Sequence, residues 1–193
     1  MVLFMGKGAV FIDGGYFSKV LKNVFGEPEI DFEVFSDKIC TNVERLRTYY
    51  YNCMPYQSTP PTPDERRRYS DMDKFLFNLG RLNRFEIRLG QLQKIGTTFK
   101  QKRIDVLLSV DLVRMSWDHQ IDKAVLVTGD SDFVPAVKAA KDAGVLTVVY
   151  FSRGPDVYAH DELLYACDER YEITQELIDS VKKVVPRSKE RNS

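Results

Sequence analysis

"KAVLVTGDSDFVPAVKAAKDAGVLTVVYFS", residues 123–152, decides the fold. Its opening, KAVLVTG, is an apolar run that stops at a glycine turn, the pattern of a strand buried on both faces. DFVPAVKAAKDAG then reads as a helix closed by Gly144, and VLTVVYFS as a second buried strand. A strand, a helix and a strand in that order form the repeating unit of a parallel sheet covered by helices. Between the first strand and the helix the chain places two carboxylates, Asp130 and Asp132.

The same alternation extends outward from this unit. GAVFIDGGY, near the start, is another apolar strand ended by Asp-Gly-Gly, and YFSKVLKNVFG follows as a short helix closed by Gly26. VERLRTYYYNCM is rich in β-branched and aromatic residues and reads as a strand. It runs into PYQSTPPTPDE, whose prolines exclude both regular helix and central strand. Asp64 is expected to cap the helix ERRRYSDMDKFLFNLGRL, in which Tyr69, Met72, Phe75, Leu76 and Leu79 recur at helical spacing. FEIRLGQLQKIG alternates as a strand, TTFKQKR leads out of it, and IDVLLSVDLVRMSWDHQ reads as a helix. HDELLYACDERYEITQELIDSVKKV allows a short helix, an extended piece and a final helix. The expected architecture is an α/β three-layer sandwich with a mostly parallel central sheet. Residues 1–185 form one domain in this reading, and 186–193 a charged tail that frays.

The composition excludes several classes. At 193 residues and 44% hydrophobic content, the chain can fill one sizeable core. Lys plus Arg and Asp plus Glu both total 28, so polyanion binding must come from local clustering rather than net charge. No apolar run reaches the ~18 residues of a membrane span, and the N-terminus lacks a signal-peptide pattern. Cys40, Cys53 and Cys167 form no CxxC pair, which suits reduced thiols in a cytoplasm. With only His119 and His160 beside them, a Cys/His zinc site is not expected.

In a parallel α/β sheet, ligands collect outside the carboxyl ends of the strands, where the strand order reverses. Asp13 ends the first strand and Asp130 and Asp132 follow the KAVLVTG strand, so these carboxylates should share one edge. Asp105 opens a helix, and helices begin where strands end, which adds a fourth. Asp111 interrupts the apolar stripe of that helix, so it must be paired, for instance with Arg114, bind a cation or take up a proton. Clustered carboxylates repel one another, and a divalent cation resolves the conflict; an all-Asp set with no His or Cys fits Mg²⁺ or Mn²⁺. Structural roles compete with this reading: Asp13 suits a turn, and Asp105 and Asp132 could be helix caps.

From Arg81 to Arg103 there are seven basic residues (Arg81, Arg84, Arg88, Lys94, Lys100, Lys102, Arg103) against one acid, Glu86, with Phe85 and Phe99 among them. Basic residues interleaved with aromatics suit single-stranded nucleic acid, although core phenylalanines beside a solvated charged face fit the same pattern.

Three segments in order, FIDGGYF (11–17), KRIDVLLSVDLV (102–113) and VTGDSDFVPAVKAAKDAG (127–144), resemble the NYN domains of the PIN-like nuclease superfamily, particularly the bacterial LabA-like branch. The resemblance implies a Rossmann-like (PIN-like) sandwich, an acidic site that binds Mg²⁺ or Mn²⁺, and cleavage of RNA. By resemblance, Asp13, Asp105 and Asp130 are metal ligands, and Asp132 completes the catalytic set. Asp111 is a further ligand or supports one. Many relatives carry Asn soon after the first Asp-Gly, where this chain has Gly15 and Tyr16. The expected function is metal-dependent endoribonucleolytic hydrolysis of single-stranded RNA in the cytoplasm, with Arg81, Arg84, Arg88, Lys100, Lys102 and Arg103 as phosphate contacts. The alternative is a non-catalytic RNA-binding or regulatory module on the same fold. A receiver domain would require a late strand-end Lys where VLTVVYFSRG has Arg, and a haloacid-dehalogenase-type phosphatase a second Asp at position 15, which is Gly. Exposed edges and the YYY run at 49–51 permit a homodimer.

Overall fold

The computed structural model of the protein describes residues 6–95 and 98–183, and the backbone alone between 92 and 102. The elements run β1 (Lys7–Asp13), α1 (Gly14–Phe25), α2 (Phe32–Ile39), β2 (Glu44–Cys53), α3 (Pro63–Gly80), β3 (Phe85–Ile95), β4 (Thr98–Lys102) and α4 (Ile104–Trp117). There follow β5 (Lys123–Val127), a 3₁₀ turn (Ser131–Phe133), α5 (Val134–Asp142), β6 (Leu146–Phe151), α6 (Asp161–Ala166), β7 (Glu169–Glu172) and α7 (Gln175–Asp179). The expected tail at 186–193 lies outside the described residues.

The sheet order is β4-β3-β2-β1-β5-β6-β7, and only the β3–β4 pairing is antiparallel. Six parallel strands thus form the sheet, with β1 at its centre. Both faces are dry. Phe11, Tyr49, Tyr51, Leu126 and Val149 point to the side covered by α4, α5 and α6. Val10, Ile12, Tyr50, Val125, Val127 and Val148 alternate to the side covered by α1, α2, α3 and α7. This alternation explains why the parallel strands read as unbroken apolar runs: each neighbouring pair of side chains needs a separate helical cover. Phe11 is fully buried, and truncation of such a side chain costs about 3–5 kcal/mol.

Three local readings are corrected. The cap of α3 is Thr62, not Asp64: Thr62 Oγ1 accepts from Glu65 N, and Glu65 Oε2 accepts from Thr62 N. Pro63 occupies the first helical turn, where its missing N–H costs nothing, so the cap must precede it. TTFKQKR does not merely lead away: Thr98–Lys102 pairs antiparallel with Gln91–Ile95. α2, for which the sequence reading has no element, is capped by Asp31, whose Oδ1 accepts from Glu33 N and Val34 N, and it buries Phe35 and Ile39.

β3 runs alongside β2 only as far as Gly90, and its remaining residues pair with β4. The two therefore form a ribbon that continues past the end of β2, at the edge where the parallel strands terminate.

Candidate active site

Chain connections leave β1 toward β2 on one face and pass from β5 to β6 on the other, so the order reverses between β1 and β5. Their carboxyl ends are adjacent, Ile12 being in register with Val127. Such a reversal opens a crevice, because the helices that follow the two strands diverge to opposite faces.

Asp13 is the last residue of β1 and the N-cap of α1, its Oδ1 accepting from Tyr16 N at 3.0 Å. The turn reading of Asp13 thus holds: its carboxylate caps the helix that follows. At β5, Thr128 and Gly129 carry the chain to Asp130, whose Oδ1 accepts from Asp132 N at 2.9 Å. Asp130, rather than Asp132, is therefore the cap of the turn, and the side chain of Asp132 stands exposed on it. Asp105 lies in the first turn of α4 and is not a cap either; that position belongs to Arg103, in the left-handed region at φ 77° with no side-chain capping bond.

The structure brings these acids within electrostatic reach of one another. Burial pushes Asp13 above its ordinary value, and Asp105 and Asp130 add to the rise, against the lowering effect of the Tyr16 bond. Asp105 is also raised, first by desolvation and then by Asp130 and Asp132. Among the described residues, none of the four makes an ion pair. At the same time, no group of three or more His, Cys, Asp or Glu side chains among the described residues stands ready-arranged to hold a metal ion. The four acids are neighbours around an open crevice, not a closed ligand shell.

Asp111 has a different fate. Nearly buried, it accepts from Tyr51 Oη at 3.0 Å and Arg88 Nε at 3.2 Å, and Arg114 lies 3.6 Å away. Burial and the negative charge of Asp111 hold the Tyr51 phenol well above its usual range. Desolvation lowers Arg88, but its bond to Asp111 together with the negative charges of Asp111 and Glu86 leaves it raised. The paired reading of Asp111 is the one the geometry matches: its two oxygens are committed to partners that lock α4 onto β2 and β3.

The basic residues separate. Arg81 ends α3 over the ring of Phe77, and Arg84 precedes β3, where it pairs with Glu44 at the start of β2. Both sit at the edge where strands begin, away from the carboxylates. Arg88 is in register with Tyr51, itself in register with Asp13, so it lies level with the crevice. Arg103 is two positions from Asp105 and exposed. Lys100 and Lys102 are on β4, hence on the ribbon at the carboxylate edge; their side chains, with those of Lys94 and Phe99, lie outside the described residues.

Sequence reasoning missed what Tyr16 does. Its N–H holds Asp13, its hydroxyl accepts from Ser152 N at 2.9 Å, and its ring packs on Gly129 so closely that a Cβ there would meet it at 2.6 Å. One side chain therefore braces the ends of β1, β5 and β6. Gly14 is constrained likewise, its position lying 2.6 Å from the Tyr50 ring for any added Cβ. Beside Gly129, whose carbonyl accepts from His160 N, the exposed His160 begins α6. The visible signal was GGY in place of the common Asn: a large ring just after the first strand demands a small residue opposite it.

Comparison with known proteins agrees with this architecture. The family model of the NYN domain matches residues 7–174. A crystal structure of a Vibrio parahaemolyticus protein of unknown function superposes with a TM-score of 0.62 at 19% identity, covering 90% of this chain and 96% of that one, which shows the shared fold. A Plasmodium falciparum nicotinic acid mononucleotide adenylyltransferase matches at 10% identity over 90% of this chain and 79% of that chain, with a TM-score of 0.33. No curated protein matches the chain.

Proposed function

Because this chain belongs to the NYN domain family, with a PIN-like nuclease fold, we propose that it is a Mg²⁺- or Mn²⁺-dependent endoribonuclease acting at the β1/β5 crevice. The observation that carries the reading is the convergence of Asp13, Asp105, Asp130 and Asp132 at the reversal point, with no ion pair to any of them among the described residues. Their all-oxygen chemistry fits a hard divalent ion. The open arrangement fits Mg²⁺ in particular, which retains several waters and takes only one or two carboxylates directly. The Gly-Gly-Tyr form of the first motif favours the LabA-like branch.

Asp13, Asp105 and Asp130 would hold the ion, directly or through water. When bound, it would polarise a phosphate oxygen and acidify a coordinated water. Tyr16 N–H and Asp132 N–H each fix one carboxylate oxygen of Asp13 and Asp130, so these side chains are orientated before any ligand arrives. Asp132, exposed and without an ion pair among the described residues, takes the proton of the attacking water. Arg103 is placed to receive phosphates of a single strand, β4 with Lys100 and Lys102 runs along the same edge, and Arg88 would join them only through the part of its guanidinium not bonded to Asp111 and Glu86. Arg81 and Arg84 would contribute only to a strand that wraps to the opposite edge.

The test incubates pure protein with labelled single-stranded RNA and Mn²⁺ or Mg²⁺, beside Asp13→Asn and Asp130→Asn variants whose folding is verified. The expected result is internal cleavage that EDTA and either substitution abolish. RNA that is bound but left intact across many sequences, with metal present, would replace this reading with that of a binding module.

A further inference from the structure

α4 is apolar on two sides. Ile104, Leu108, Leu112 and Met115 are buried against the sheet, yet Val106, Val110 and Trp117 on the outward side are 63%, 55% and 57% exposed, with Val113, partly buried and packed in part against the chain's own core, between them along the helix. A surface helix ordinarily turns a polar face to water, and a helix apolar all round is one that is covered. The outward positions 106, 110, 113 and 117 are spaced four, three and four residues apart, the seam spacing of packed helices.

We infer that this stripe is the seam of a homodimer in which two copies of α4 pack antiparallel across a two-fold axis between Asp111 and Leu112. The stripe is its own complement under that operation: Val106 meets Trp117 of the second copy, and Val110 meets Val113. A two-fold interface requires such self-matching; a stripe serving an unrelated protein does not. Charge agrees. Arg103 is unfavourably placed at the positive N-terminal end of its own helix, but antiparallel packing sets it within a turn of Asp118 and the negative C-terminal end of the other helix. Valines offer neither charge nor a stacking face to a polynucleotide, which separates this surface from an RNA path.

The arrangement bears on the crevice. Asp105 immediately precedes Val106, so the end of the partner's α4, with Trp117 and the exposed His119, comes to lie at the rim of the acidic site. Each crevice is then completed by the other copy. The seam itself does not depend on the nuclease reading. A helix of this length extends ~21 Å, which places the interface at the low end of specific associations, with dissociation in the micromolar range.

Sedimentation of the full chain from about 1 to 100 μM tests the inference. The expected mass rises to that of two chains, while Val110→Asp holds it at one chain with an unchanged circular dichroism spectrum. Register is tested by a short bis-maleimide on single-cysteine additions, the native cysteines being buried. Val110→Cys lies ~4.5 Å along the axis from its own copy and is expected to cross-link. Val106→Cys lies ~16 Å from its copy and is expected not to. A single-chain mass at every concentration, a dimer indifferent to Val110→Asp, or cross-linking through Val106→Cys would each overturn the proposal.

Discussion

At the scale of single residues, the contrast between Asp111 and Asp105 separates an acid held by partners from one that its surroundings only repel. Both lie on α4; Asp111 is surrounded by Tyr51, Arg88 and Arg114, whereas every influence on Asp105 raises its pKa. A carboxylate raised in the folded state binds its proton more tightly there than in the unfolded chain. Its contribution to stability is thus complete below the unfolded value of 3.8 and is lost as pH rises through the folded one. In EDTA at neutral pH, Asp105→Asn is therefore expected to raise the thermal midpoint, and the difference from the unaltered protein should shrink as pH falls through the folded value toward 3.8. Melting curves across that range check it; a variant less stable at neutral pH would mean that Asp105 is held by a partner. The sequence distinguished these acids only partly, since the odd position of Asp111 on its apolar stripe was visible but its arginine partners, 23 residues before and three after, were not both equally so. Arg88 reaches it only because β3 lies under α4, a tertiary fact.

Element boundaries were legible where local chemistry dominates and obscure where two local signals compete. TPDE offered both Thr62 and Asp64 as caps, and the proline between them decides for Thr62. Thr62→Ala is expected to cost about 1 kcal/mol, whereas Asp64→Ala, which breaks only an exposed pair with Arg67, should stay within about 0.5 kcal/mol. Urea unfolding of the two variants compares them; equal losses would mean that the capping box does not carry the helix start. Short α2 escaped notice because its eight residues make only about two turns, too few for a helical period to stand out, and β4 because its pairing with β3 is a property of two segments rather than one.

For the molecule as a whole, the buried strands and their alternation with helices were readable, and with them the common edge for Asp13 and Asp130. The position of the basic residues was not. Arg84 and Lys102 belong to one basic stretch of sequence, but Lys102 pairs with Gln91, and β3 rises about 23 Å from Arg84 to that level at ~3.3 Å per residue, so nearness along the chain became separation along the strands. An ion bound at the crevice would stabilise only the folded form, by about 2.7 kcal/mol when present at a hundred times its dissociation constant. Saturating Mn²⁺ is accordingly expected to raise the thermal midpoint of the intact protein and to leave Asp13→Asn nearly unmoved. An equal shift in both would place the ion elsewhere. No helix among the described residues is long and apolar enough to cross a membrane.

The reversal of strand order also sets a sequence of events during synthesis. β1 emerges first, and β2 and β3 can pair on one side of it, but its other neighbour, β5, begins only at Lys123. Until then the central strand is a bare edge of the kind that recruits foreign strands. A growing chain must carry that exposed edge until β5 has been made, shielded by a chaperone or by speed. Asp13 and Asp105 have been made by then, but Asp130 and Asp132 have not: the crevice closes only when β5 and the turn after it dock, so an unfinished chain has one side of the acidic cluster and no complete crevice.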